Sequence, residues 1–556
     1  LVVRFCNSKY PNKMSLNLSL PCFVTERDVV LRIEPKMSTS KNAINHLILG
    51  DYAKCLGEEQ NEWVKVRSRN DNGWLKKNWL SNERILEVNF VDIGQGDGCH
   101  IVTPDDEVIL IDAGVGTDFD GKGADNMARF INWRYNLRNR KSPNPFEIDY
   151  AVISHPDLDH YYGFHNIFSN EKLKIKTICH NGIVERPLNG ADSKTWFKDL
   201  GRQVSSNDKK ISHIWDIILT NEEMHTLLEE NPTTTKFFLK TLRAAKTNNP
   251  NVIYKFLDIS QKYLDHFKPQ KDLSLEILAP ITEKVNLGNE TRDCLIKLGS
   301  EGETKNGHSV VFMLRYKNLK MLLGGDLNTK SQDYIAQYYS QNKTSISSLE
   351  RKIRETKIKL GGELSSQKRK DLQQESEEAI KLLDLIISKT KNKFQADIAK
   401  ACHHGASDVL DSFLKAINPI ATIISSGDNE SHSHPRPDAL GAYGKSGRGN
   451  RPLIFSTELA RSTYEFSYPI KFYNKLKAME EQIETLTDKK KIKNINKEME
   501  NLKDSNVAKY GMITVRTDGT NVIIAQILEE ERSPGQKWDI YDLKWNDKLN
   551  EFEYVH

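Results

Sequence analysis

From residue 85 onward the chain alternates short apolar runs with polar turns, and the runs repeatedly close on an acid or a histidine. Leu86-Glu-Val-Asn-Phe-Val91 runs into the glycine turn Asp92-Ile-Gly94-Gln95-Gly96-Asp97, and Val108-Ile-Leu-Ile111 ends in Asp112-Ala-Gly114. Tyr150-Ala-Val-Ile153 leads into Ser154-His155-Pro-Asp157-Leu-Asp159-His160. Lys320-Met-Leu-Leu323 closes on Gly324-Gly325-Asp326, and Asp397-Ile-Ala-Lys-Ala-Cys402 ends in His403-His404-Gly405. Short apolar runs bounded by turn formers predict buried strands. A single Asp after a strand is usually a turn former or helix cap. A series of strand-end acids and histidines implies that they converge on one site.

Residues 14–82 follow another pattern. Val30-Leu-Arg-Ile33, Ile44-Asn-His-Leu-Ile-Leu49, Tyr52-Ala-Lys-Cys-Leu56, Trp63-Val-Lys-Val66 and Gly73-Trp74-Leu75 predict a small all-β unit of short strands. Trp63, Trp74 and Trp79 read as core first and as a ligand groove second. Helical periodicity appears in insertions at about 190–270, 340–393 and 471–507. In the last, Phe472, Leu476, Met479, Ile483 and Leu486, then Ile492, Ile495, Met499 and Leu502, alternate by four and three as a heptad seam does. The slip between Leu486 and Ile492 predicts a hairpin turning near Thr487-Asp488, or a stuttered helix. The last two insertions are expected to pack together as a coiled-coil-like stalk, or to pair with a second subunit.

Composition sets outer limits. With 556 residues, 38% of them hydrophobic, the chain can build two or three cores, and no apolar run reaches the roughly 20 residues a bilayer span needs, so no membrane role is expected. A net charge of +4 leaves nucleic-acid binding undecided. Seven cysteines scattered singly indicate neither a disulfide framework nor a cysteine zinc site, which favours a cytoplasmic location. The opening Leu1-Val-Val-Arg-Phe-Cys6, without Met or the apolar core of a signal peptide, reads as a trimmed terminus.

The chemistry concentrates after Ile153. His155, Asp157, Asp159 and His160 are four potential ligands within six residues at a strand end, and alternation along the turn separates the first two from the second two. Two cations a few ångströms apart suit such a set.

Asp92-Ile-Gly-Gln-Gly-Asp97, Leu110-Ile-Asp112-Ala-Gly114, Ser154-His-Pro-Asp-Leu-Asp-His160, Asn306-Gly-His-Ser309, Leu323-Gly-Gly-Asp326, His403-His-Gly-Ala-Ser407 and His434-Pro435 together resemble the metallo-β-lactamase fold. In particular they resemble the soluble hydrolase domain of the ComEC-type DNA-uptake competence protein. Residues 14–82, with a Gly50-Asp51 turn, a Trp63-x-x-Val66 strand and a Gly73-Trp74 strand, resemble a bacterial SH3-like domain. The fold implied is α/β: an αββα sandwich over 85–530 with long helical insertions, preceded by a small SH3-like barrel and followed by a C-terminal extension, 531–556.

The resemblance also implies roles. His155, Asp157 and Asp326 would hold one metal, and Asp159, His160, Asp326 and either His403 or His404, preferably His404, a second. Asp112 would orient a ligand histidine from behind, as carboxylates commonly do, and Asp97 could lie at either level. Asn306, Ser309 and Arg436 are substrate-binding candidates, and Asp159, His308, His432 and His434 catalytic ones. His46, His165, His213, His225 and His266 are expected to be structural. Asp157 stands where the family more often has histidine, which shifts the ligand field toward oxygen and favours Mn²⁺ or Mg²⁺, with Zn²⁺ able to bind. The activity implied is phosphodiester hydrolysis, with DNA as substrate. A small-molecule phosphodiesterase or esterase, or an assembly protein with a structural metal, are the alternatives. Free-standing chains of this design resemble components of bacterial mobile-element or phage defence. The SH3-like unit or the stalk would supply any protein partner or homo-oligomer contact.

Overall fold

The computed structural model describes residues 16–37, 40–94, 96–115, 125–187, 196–197, 200–205, 211–234, 236–427, 433–457, 470–486, 488–505, 512–528 and 532–555. Its centre is a pair of facing sheets. One has ten strands in the order Ile253–Phe256, Leu173–His180, Phe146–Val152, Val108–Ala113, Gly98–Val102, Leu86–Phe90, Ile513–Thr517, Asn521–Ile527, Trp538–Asn546, Glu551–Val555. The four strands from Ile253–Phe256 to Val108–Ala113 are mutually parallel, and the remaining pairings are antiparallel. The other sheet has six, in the order Leu273–Ala279, Val311–Tyr316, Leu319–Leu323, Ile398–Lys400, Ala421–Ile424, Leu453–Ser456, with the last four parallel.

Burial explains the stacking. Val88, Phe90, Ile101, Ile109 and Val152 of the first sheet form one apolar cluster with Leu275, Phe312, Leu314, Met321 and Ile423 of the second. Strands buried on both faces read as continuous apolar runs, which is why Val108-Ile-Leu-Ile111 lacks alternation. Helices cover the outer faces. Asn126–Arg134, Phe164–Phe168, Asn221–Glu230 and Phe237–Asn248 cover the ten-stranded sheet. Thr329–Ser340, Ile346–Leu360, Ser366–Phe394, Asp411–Ile417 and Pro437–Ser446 cover the six-stranded one. Among the described residues no helix is long and apolar enough to cross a membrane.

Several expectations need correction. The segment at 190–270 is not a separate helical insertion: Leu227, Leu228, Leu239 and Leu242 pack into the core on the outer face, and Ile253–Phe256 extends the main sheet. The C-terminal extension supplies two further strands of that sheet. The helices of 340–393 are not a stalk partner for 471–507. Ile346, Leu349, Leu383 and Ile386 are built into the core that covers the six-stranded sheet. The helices Ile470–Thr485 and Lys489–Ser505 instead face each other through Leu476, Met479 and Met499. They take the hairpin alternative; Thr487 lies outside the described residues.

The N-terminal unit is a seven-stranded antiparallel sheet, ordered Ala43–Ile48, Asp28–Arg32, Asp71–Lys76, Trp63–Ser68, Tyr52–Gln60, Cys22–Val24, Leu80–Ser81. Its own core includes Leu31, Leu47, Val64, Val66 and Leu75. Trp63 is buried, edge-on to Trp79 at 5.8 Å. The unit is fastened to the C-terminal strands. Arg27 donates to Asp542 at 2.8 Å and to the Ile540 carbonyl at 3.0 Å, His46 accepts from the Lys537 amide at 3.1 Å, and the Arg69 guanidinium lies 4.7 Å over the Trp538 ring.

Candidate metal centre

The strands of both sheets deliver their polar ends to one place. Asp97 follows the Leu86–Phe90 strand, Asp112 ends Val108–Ala113, and His155 to His160 follow Phe146–Val152. Asp326 follows Leu319–Leu323, and His403 and His404 follow Ile398–Lys400. Asp97, His160, Asp326 and His404 are all buried, and each offers an atom within 4.8 Å of the others. Asp326 Oδ2 lies 3.2 Å from His160 Nε2 and 3.1 Å from His404 Nε2, while Asp97 Oδ1 lies 3.2 Å from His404 Nδ1. Asp326 therefore joins the two imidazoles.

Local backbone explains how Asp97 gets there. Gly96 has φ +99°, and a Cβ on it would lie 1.8 Å from the Asp159 carbonyl oxygen. Only glycine permits that approach. The Asp97 amide then donates to the same carbonyl at 3.2 Å, tying the glycine turn to the 157–160 turn. Asp112 stands behind His160: its Oδ2 lies 2.8 Å from His160 Nδ1, and it accepts from the amide and hydroxyl of Ser154, each at 2.7 Å. This fixes the ring so that Nε2 faces the cluster.

Other candidates surround the four. Asp159, 23% exposed, lies at the open side, with Oδ2 3.6 Å from His404 Nε2. The His155 ring is 4.0 Å from that of His160, and its Nε2 is 3.6 Å from Asp157 Oδ2. Asp157 Oδ1 is 2.5 Å from Lys305, and with its amide turned to donate, Asn306 reaches Asp157 Oδ2 at 2.8 Å. His155 and Asp157 thus flank the cluster and do not join it. His403 lies 3.8 Å from Asp326 through Nε2, while its Nδ1 faces Asp408 at 3.0 Å. Ser309 Oγ accepts from the Asp326 amide at 2.9 Å and lies 3.2 Å from His155 Nδ1, so it holds ligand positions. His434 places its ring 5.7 Å from His403, and Arg436 is exposed ahead of the helix Pro437–Ser446. His432 lies outside the described residues.

One candidate is not brought to the centre. His308 is buried and spends Nε2 on the Ile296 carbonyl at 2.6 Å, and burial pushes its pKa down to about 4, so it stays neutral and structural. Two others were underread. Asp97 belongs in the cluster itself. Lys400, 5% exposed, places its ammonium against Asp97 and 3.7 Å from Asp326. A lysine inside the apolar strand before the histidine pair was the available signal, because an unpaired buried ammonium is prohibitively costly.

Electrostatics follow from this crowding. Burial disfavours charge on His404, yet the adjacent Asp326 and Asp97 raise its pKa to about 10. His160 is likewise held well above its ordinary value by Asp326, Asp112 and Asp159 against the effect of burial. Burial alone would raise Asp97, but Lys400 and His404 hold it down to about 2. Among the described residues, Asp97 Oδ1, Asp326 Oδ1 and His404 Nε2 are buried and, although close to neighbouring charges, make no well-aligned hydrogen bond. A cation between them would satisfy all three, and two carboxylates with two imidazoles form a suitable donor set for a divalent metal.

Residues 99–360 match the family described as the metallo-beta-lactamase superfamily. The match includes His160 and Asp326. No curated protein matches the chain. The similarity to this superfamily, together with the buried Asp/His cluster, points to a metal-dependent hydrolase.

Proposed function

We propose that this superfamily domain is a phosphodiesterase acting on DNA, related to the ComEC-type competence nuclease and operating in the cytoplasm, with a place in bacterial defence. The reading rests above all on the buried Asp97, His160, Asp326 and His404 cluster opening beside Asp159. A divalent ion there supplies Lewis acidity toward a phosphoryl oxygen and makes water acidic enough to attack near neutral pH. Asp97, His160, Asp326 and His404 would hold it, with Mn²⁺ or Mg²⁺ favoured over Zn²⁺. His155 and Asp157 would take part in a second ion site. Asp112 fixes the His160 tautomer, and Asp159 is placed to accept a proton at the open side. His403 or His434, whose rings lie 5.7 Å apart, would protonate the leaving oxygen, and the exposed Arg436 would pair with a phosphate.

DNA is favoured over a lactone because hard ions prefer phosphate oxygens and the exposed Arg436 would pair with a phosphate. Assaying the purified chain with Mn²⁺ against labelled single- and double-stranded DNA, RNA and cyclic dinucleotides tests this. The expected result is DNA cleavage that falls steeply with added salt. Activity confined to a cyclic nucleotide or small ester, indifferent to salt, would replace the reading with the small-molecule one. The N-terminal sheet as an SH3-like partner-binding unit, and the 470–505 hairpin as a homo-oligomer contact, belong to the same proposal.

A further inference from the structure

Where the N-terminal sheet meets the ten-stranded sheet there is a cavity of about 250 Å³, separate from the metal centre. Lys54, Arg67 and Arg69 line it from one side, and Trp133, Arg134 and Arg516 from the other. Among the described residues, two carboxylates, Asp51 and Glu87, face these five cations. Both are already engaged. Asp51 takes a two-pronged contact from Arg69 at 2.8 and 2.9 Å, and Glu87 Oε2 lies 2.8 Å from Arg134 and 2.7 Å from Arg516. Glu87 is itself held by Asn89 at 2.8 Å, and Asn89 by Thr514 at 2.7 Å. The guanidinium groups of Arg69, Arg134 and Arg516 are therefore fixed in advance, and each carries five N–H donors.

Lys54 and Arg67 add a second observation. They are direct cross-strand partners, an arrangement of like charges that destabilises a sheet, and among the described residues neither forms an ion pair with a carboxylate. Such a pair is stabilised when an anion sits between the two charges. Guanidinium forks match phosphate oxygens in geometry. The half-buried Trp133 ring on the same wall presents a surface for a planar group.

We propose that this cavity is a binding site for a small phosphorylated ligand with a planar ring, a nucleoside monophosphate in chemical class. Its phosphate would lie among Arg67, Lys54 and the Arg134/Arg516 pair, and its base against Trp133. The volume suits one such unit. The floor strand Leu86–Phe90, which carries Glu87 and Asn89, continues into the turn that places Asp97 in the metal cluster.

Calorimetric titration of the full chain with AMP, adenosine and inorganic phosphate, at low salt with EDTA present, tests the site. The expected result is one AMP per chain, bound more tightly than either part alone. Binding should be roughly tenfold or more weaker in Lys54→Glu/Arg67→Glu and in the milder Arg67→Ala, and unchanged in Asp326→Ala. Circular dichroism checks that each variant is folded. No AMP binding, AMP binding no tighter than phosphate, or binding that survives the double reversal but is lost in Asp326→Ala would overturn the proposal.

Discussion

Lys400 shows how much of the centre depends on single charges. With its ammonium against Asp97 and near Asp326, replacing it by Met leaves two buried carboxylates short of a partner. In the metal-free protein this should cost about 3–5 kcal/mol, read by urea unfolding in EDTA, and the deficit should shrink when Mn²⁺ supplies the missing charge. Asp326→Ala and His404→Ala should each abolish metal binding, measured by metal analysis after dialysis, and hydrolysis with it, while the far-UV spectrum stays native. The histidines also set a pH dependence. His404 has a raised folded-state pKa of about 10, so in the metal-free protein its stabilisation is complete below about pH 6.5 and is lost as pH rises through 10. A bound metal requires the deprotonated ring, so the melting-temperature gap between metal-loaded and metal-free protein should widen from pH 6.5 to 10. At this scale the sequence marked His160, Asp326 and the His403-His404 pair by their strand-end positions. It could not separate Asp97 from a supporting role, because only the contact of Gly96 with the Asp159 carbonyl brings that carboxylate inward. His308 misled for a related reason: its neighbour Ser309 does face the cluster, and spacing does not reveal which of two adjacent side chains turns away.

Helices that looked alike in sequence differ in what they bury. Ile346, Leu349, Leu383 and Ile386 continue the core over the six-stranded sheet, whereas Leu476, Met479 and Met499 form a small cluster of their own. Ile386→Ala should therefore lower global stability by about 2–5 kcal/mol in chemical denaturation. Ile483→Lys, in the separate hairpin, should leave the main melting transition in place and change only local protection in hydrogen exchange. Heptad spacing established that both segments are helical and apolar on one side, but it carries no information about which surface receives that side. The short strand Ile253–Phe256 was hidden for another reason. Four residues at the edge of a parallel sheet are too few to show a period, and the helices before them dominated the reading.

Across the whole molecule, the N-terminal sheet is fastened to the final strands by Arg27, His46 and Arg69. Removing residues 1–82 uncovers Trp538, leaves Asp542 without Arg27 and opens one wall of the inter-sheet cavity. The shortened chain should melt at a lower temperature and aggregate sooner, as light scattering during a thermal ramp would show; equal behaviour would mean that these contacts are incidental. Individual strands were legible from apolar runs and turn signals and the αββα arrangement from the resemblance, but the joining of the N-terminal sheet to the strands after Trp538 was not, because nothing local records it. That closure has a temporal side. Phe90 pairs with Ile513, so the strand next to the glycine turn of the metal centre waits for a partner made about 420 residues later. At about 5–20 residues per second, a nascent chain on the ribosome carries this bare edge for some tens of seconds, a window in which a chaperone or a neighbouring nascent chain can dock on it.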